Sequence, residues 1–289
     1  MIAVMAAILL VLSAVAAPAE TASVAHKDAK AFNREVARLA RLQPDLLRSE
    51  VSGLLPHQKG ETDIYAIGIA GWATLDVFAK ELDGALTAIG KVLPIEDRTI
   101  RLINHPDTVD RVPLATVDNF QNAVHDVGKL MDKENDILLV FMTSHGDRKG
   151  VALQLPNRIV DLTPKDVATA LDREGIKSRI VIVSACYSGI FVPPLENADT
   201  IVLTAADANH TSFGCAPERD WTFFGDAFFH QSLKPGTDFQ HAFDHARVLI
   251  KGWELMDRIP PSNPQAYFGP TLTAKLAPLL RSAESAGPQ

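Results

Sequence analysis

The chain has 289 residues, 47% hydrophobic and 22% charged, which suits one large globular domain or two small ones. A formal net charge of -7 and the lack of any Lys or Arg run argue against a nucleic-acid partner. Residues Met1 to Ala17 carry no charged side chain. Ile2 to Val15 is apolar and Ala17-Pro18-Ala19 forms an A-x-A cleavage pattern, so residues 1–19 read as a secretory signal peptide. That run is shorter than the ~20 residues a spanning helix needs, and no later segment reaches that length. The expectation is an exported protein, periplasmic or secreted, with no stable membrane span after signal cleavage.

His26 to Ser49 places Phe32, Val36, Leu39, Leu42 and Leu46 at helical spacing. Val51 to Thr62, with Gly53, Pro56 and Gly60, reads as a linker and a candidate zone for self-cleavage. Residues 20–60 are thus an N-terminal helix and linker before a main domain at 61–281, and 282–289 a frayed tail. The first core strand is Ile64 to Ala70, ending at Gly71-Trp72. A helix from Thr74 or Asp76 through Ile89 turns Leu75, Phe78, Leu82 and Leu86 inward, leaving Glu81 and Asp83 on a solvated face. A strand at Thr99 to Ile103 closes at Asn104-His105-Pro106. A helix capped by Thr116 runs to Met131 with Phe120, Val124, Val127 and Leu130 on one stripe.

Two continuous apolar runs follow, Ile137 to Met142 and Ile180 to Val183. Unbroken branched runs suit strands buried on both faces of a parallel sheet. Between them lie a hairpin, Val151 to Val160, and a helix, Pro164 to Glu174, with Thr163 as N-cap and Gly175 just past its end. Strand, crossover helix and strand make a βαβ unit, whose two strand ends emerge on one sheet edge, where open α/β sheets place ligands. Later elements are a strand at Ile201 to Ala206, helices at Phe223 to Leu233 and Phe239 to Leu255, a strand near Gln265 to Phe268 and a helix at Leu272 to Leu280. The fold class is α/β, a doubly wound sheet.

Each strand of the βαβ unit ends in a reactive cluster, Thr143-Ser144-His145-Gly146-Asp147 and Ser184-Ala185-Cys186-Tyr187-Ser188-Gly189. A thiolate is a nucleophile, and an imidazole titrating near ~6.5 can shuttle its proton. Gly146 leaves room for a backbone N–H to approach a substrate carbonyl, and with the Cys186 N–H it forms a candidate oxyanion hole. Cys186 at a sheet edge and Cys215 as an inert thiol favour two free cysteines over a disulfide. His241 and His245 have metal-ligand spacing, but the zinc-protease glutamate is missing, and no metal is expected. No G-x-S-x-G elbow surrounds Ser188. His210 and Trp72 are candidates to touch substrate, and Asp207 reads as a cap.

Ser144-His145-Gly146 and Ser184-Ala185-Cys186-Tyr187-Ser188-Gly189 resemble the dyad motifs of the legumain-like cysteine peptidases, family C13 of the caspase-like clan. Leu203 to Ala206, Ser212 to Cys215 and Phe224-Gly225-Asp226 resemble the pocket segment that follows. Asp63 to Phe268 is similar throughout, most of all to bacterial members. The resemblance implies a caspase-like, mainly parallel sheet with helices on both faces, a three-layer α/β/α fold, and endopeptidase chemistry on peptide or protein substrates without cofactor or metal. It implies His145 as acid/base, Cys186 as nucleophile and Gly146 as oxyanion donor. Ser212 and Asp226 are implied to line the pocket for the side chain before the cut bond. Ser184 stands there in place of the Glu of eukaryotic members, with Asn or Asp the expected preference. A transamidase or ligase on the same dyad and a non-catalytic binding module remain alternatives.

Overall fold

The computed structural model describes residues 19–285, with side chains for residues 30–281. The signal segment lies outside the described residues except for its last position, Ala19, and so do the last four residues of the expected tail. The chain divides into two compact units, Met1–Ala40 and Arg41–Gln289. Helix α1 spans Ala19–Ser52. Within the second unit its buried positions are Gln43 and Leu47, one residue on from the expected Leu42 and Leu46. The cause is polar: Gln43 Oε1 accepts from the Leu114 amide at 2.7 Å and from Asn119 Nδ2 at 2.8 Å. That turns the helix so that an amide faces inward.

The second unit is built on a six-stranded sheet. Its elements are β1 (Ile64–Ala70), α2 (Asp76–Gly90), β2 (Thr99–Ile103), α3 (Val117–Leu130), β3 (Ile137–Thr143), the hairpin β4 (Val151–Leu155) and β5 (Arg158–Leu162), and α4 (Pro164–Arg173). Then come β6 (Ser178–Ser184), the short α5 (Val192–Leu195), β7 (Thr200–Thr204), α6 (Phe223–Gly225) running into a π-helical segment, α7 (Phe239–Asp257), β8 (Gln265–Phe268) and α8 (Pro270–Ser285). The sheet order is β2-β1-β3-β6-β7-β8, all parallel except β8, which runs antiparallel to β7.

Side chains alternate across the strands, and the two faces feed separate cores. Ile137, Leu139, Phe141, Ile180 and Ile182 pack with α2, α7 and α8. Leu138, Val140, Met142, Val181 and Val183 pack with α3 and α4. Covering both faces is why these strands read as unbroken apolar runs. The expected three-layer α/β/α fold is what forms. The Thr163 cap is a full capping box: its hydroxyl accepts from the Asp166 amide, while the Asp166 carboxylate accepts from the Thr163 amide.

The expected linker after Ser52 is fastened down. The Leu55 amide donates to Asp97 O at 2.8 Å, the His57 amide to Leu130 O at 3.0 Å, and the Tyr65 hydroxyl to Leu55 O at 3.0 Å. This segment lies at the amino ends of β1 and β3. The seven residues of β3 separate those ends from its carboxyl end by roughly 20 Å, at ~3.3 Å per residue. Cys186, at the carboxyl end of β6, therefore lies at the opposite end of the sheet from this segment.

Candidate active site

Parallel pairing of β3 with β6 sets the site. The last rung joins Thr143 to Ser184, and His145 and Cys186 each lie two residues beyond it. The Ser144 amide donates to Ser184 O at 3.3 Å and carries the ladder one step further. A Cβ at Gly146 would stand 2.6 Å from Cys186 O and 3.0 Å from the Ala185 Cβ, so the two loops touch through a glycine. The hairpin braces the His145 loop: the Ala152 amide donates to His145 O at 2.9 Å, and Ser144 Oγ to Ala152 O at 2.6 Å. Among the described residues, the amides of Gly146 and Cys186 donate no hydrogen bond, which leaves both available to a substrate oxygen.

The His145 ring is held by apolar edges. Trp72, just past β1, meets it edge-on at 4.6 Å between ring centres, and Phe78 of α2 at 5.1 Å. Among the described residues no carboxylate pairs with it. Its half-buried setting disfavours the charged form and lowers its pKa from the ordinary 6.5. Such a ring is neutral at pH 7, the form that accepts a proton.

Cys186 is also half-buried. Its Sγ accepts from the Ser212 amide at 3.3 Å, with Ser212 Oγ at 3.7 Å. The next residue, Tyr187, adopts φ 57°, a left-handed conformation costly for a bulky side chain. Its amide donates to His210 O at 2.9 Å, and Arg148 from the histidine loop covers its ring at 5.7 Å. A Cβ at Gly189 would stand 2.6 Å from the Ala208 amide, so this turn and the 207–208 loop approach at backbone contact.

Ser184 and Ser212 therefore both lie against the cysteine's strand or its sulfur. Asp226 reaches the site indirectly: its amide donates to Thr222 O at 2.9 Å, and Thr222 Oγ1 lies 3.1 Å from Ser184 Oγ. The Asp226 carboxylate pairs with His230 Nδ1 at 2.9 Å and accepts from Gln231 Nε2 at 3.1 Å, with Arg219 at 3.9 Å. His210 pairs with Asp207 at 2.7 Å, and Asn263 Nδ2 donates to the same carboxylate at 3.2 Å. Cys186 and Cys215 are both free thiols. Burial, then the nearby Cys186 and Glu81, push the Cys215 thiol up.

Glu81 is not on a solvated face. It is fully buried, while Asp83 is exposed. Positions 78, 81, 82 and 85 share one stripe of α2, all buried. The helical period alone places Glu81 inward, a signal that charge obscured.

His241 and His245 have separate partners, Asp238 at 2.7 Å and Ser232 at 2.8 Å. His57, Asp63 and Asp136, at the amino ends of β1 and β3, bring candidate metal-ligand atoms within 4.8 Å of one another. Arg98 Nη2 pairs with Asp63 at 2.9 Å, and His57 Nδ1 with Asp136 at 3.0 Å. Asp136 accepts from the Asp63 amide at 2.9 Å and the Asp132 amide at 2.7 Å. This cluster ties strand starts together.

The sequence pattern of the Peptidase C13 family matches residues 116–270, more than half of the chain. The chain belongs to the peptidase C13 family. The matched stretch contains His145, Cys186, Ser212 and Asp226, while Trp72, Phe78 and Glu81 lie before it. This membership carries a cysteine peptidase-type function, a hydrolase with protein substrates. The comparison with curated proteins gave no match. Among the described residues of this C13 protein, no helix is long and apolar enough to cross a membrane.

Proposed function

We propose that this chain is an exported cysteine endopeptidase that cuts through an acyl-thioester on Cys186, with His145 as general acid and base. The observation that carries this reading is the shared rung: His145 and Cys186 follow Thr143 and Ser184 at the same offset on adjacent parallel strands. The Cys186 thiol gives its proton to neutral His145 as sulfur attacks the peptide carbonyl carbon. The oxygen that gains charge lies toward the unengaged amides of Gly146 and Cys186. Collapse breaks the C–N bond, and the imidazolium protonates the leaving amine. Water, deprotonated by His145, then attacks the thioester and releases a carboxylic acid and the thiol.

For the side chain before the cut bond, the proposed pocket is lined by Ser212 beside the sulfur and by Asp226, with the buried Ser184 behind them. Hydroxyls and a carboxylate suit a small amide side chain, Asn, and take Asp only in its protonated form. The uncharged, apolar stretch from Ile2 to Val15 supports export.

The test is a peptide probe bearing a thiol-reactive group after Asn or Asp, followed by peptide mapping. Adduct at Cys186, prevented by prior incubation with a cleavable peptide, is expected. Adduct confined to Cys215, or none at all, would overturn the reading.

A further inference from the structure

Glu81 has no exposed surface, and a buried carboxyl is unfavourable unless its oxygens find donors. Thr222 supplies both, its amide to Oε2 at 3.1 Å and its hydroxyl to Oε1 at 3.2 Å. The same hydroxyl oxygen accepts from the Gly225 amide at 3.1 Å and lies 3.1 Å from Ser184 Oγ. A threonine hydroxyl has one proton. With that proton on Glu81, the Thr222 oxygen can only accept from Ser184, whose own single proton is shared between Thr222 and the carboxyl. A Cβ at Gly225 would stand 2.6 Å from Glu81 Oε1, so the 222–226 segment closes directly on the carboxyl. Thr143, across the last rung from Ser184, turns a buried hydroxyl toward the same carboxyl. One turn earlier on the same face of α2, Phe78 meets the His145 ring.

We propose that Glu81 is a positioning residue for the nucleophile. Its carboxylate holds the end of β6, two residues before Cys186, to the Thr222–Asp226 segment, while Phe78 seats His145 from the same helix. What is positioned rests on the peptidase reading above; the clamp itself rests on these contacts.

The clamp depends on ionisation. A carboxylate accepts both Thr222 donors as charge-assisted bonds, whereas the protonated acid accepts them more weakly. Burial pushes Glu81 up to about 7, against the hydrogen bonds from Ser184 and Thr222. The groups that face it are uncharged, Thr143 from β3, Ser184 from β6, and Thr222 and Gly225 from α6. The titratable one is Cys215, whose thiol it helps to raise.

Alkylation of Cys186 by iodoacetamide across pH 5 to 9, read at that residue by peptide mass spectrometry, tests this in wild type and in Glu81→Gln. Over and above the general rise as thiol gives way to thiolate, the wild-type rate is expected to inflect near the Glu81 value and at the lower value of His145. In Glu81→Gln the upper inflection disappears, the lower one stays, and turnover of a peptide substrate drops roughly tenfold or more through misplacement of the sulfur. If Glu81→Gln does not fold, Thr222→Val removes the hydroxyl link and is expected to lose the same inflection. An unchanged profile in a folded variant would overturn the proposal. Alkylation needs no peptide cleavage, so a changed profile in a protein without peptidase activity would sink the peptidase reading alone.

Discussion

Thr143 and Ser184 face each other across the last rung of β3 and β6, and Gly146 then packs against the Cys186 carbonyl. The first contact fixes the offset of the dyad, and the second fixes how closely the two loops approach. Gly146→Ala would put a methyl 2.6 Å from that carbonyl, so the backbone must yield. The expected outcome is a loss of stability of about 1–3 kcal/mol. With an oxyanion amide displaced, kcat falls roughly a hundredfold. Thermal melts and peptide turnover on one preparation check both.

Trp72 and Phe78 exclude water from His145 and hold its pKa below the ordinary 6.5. Removing the indole in Trp72→Ala admits water and lets the imidazole titrate higher, toward ~6.5. The acidic limb of the kcat/KM profile therefore moves to higher pH. The same depressed value means that stability supplied by the neutral ring is full above pH 6.5 and declines as pH falls through the folded-state value. Profiles of wild type and variant show the shift; coincident acidic limbs would count against this origin.

Cys215 is pushed up by burial first, then by Cys186 and Glu81, so its thiol stays protonated near neutral pH. Iodoacetamide at pH 7 is expected to leave Cys215 largely unmodified, with labelling growing only in alkaline solution. Cys215→Ala should retain peptide cleavage within a fewfold. Residue-resolved mass spectrometry and turnover of the variant measure the two effects.

The Glu81 acid is favoured by folding, since burial moves it from the ordinary 4.5 to about 7. Its contribution to stability is full below pH 4.5 and is lost as pH rises toward 7. The whole change is worth about 3 kcal/mol. Glu81→Gln, which never ionises, should therefore gain stability relative to wild type between pH 5 and 8. Urea titrations at both pH values test the sign. A variant that is more stable at pH 8 yet slower in turnover would show a residue kept for placement at a cost in stability.

Much of this fold was legible because both sheet faces are covered. Unbroken runs such as Ile137 to Met142 announce buried parallel strands, and Thr163-Pro164 with Gly175 brackets α4. That the His145 and Cys186 loops are neighbours was legible for the same reason, since they follow adjacent strands directly. Glu81 and Thr222 were not. A glutamate in an amphipathic helix reads as surface, and its partner is 141 positions away, beyond any local pattern. The one-residue rotation of α1 was hidden likewise, because Gln43 is turned inward by the Leu114 amide and Asn119, which only the folded chain brings near.

The most direct measurement is peptide cleavage by purified Cys186→Ala and His145→Ala beside wild type, each shown to be folded by its melting transition. Wild type is expected to cleave and both variants to lose essentially all turnover, with unchanged melting. Cleavage that survives in folded Cys186→Ala would contradict the assignment of Cys186 as nucleophile.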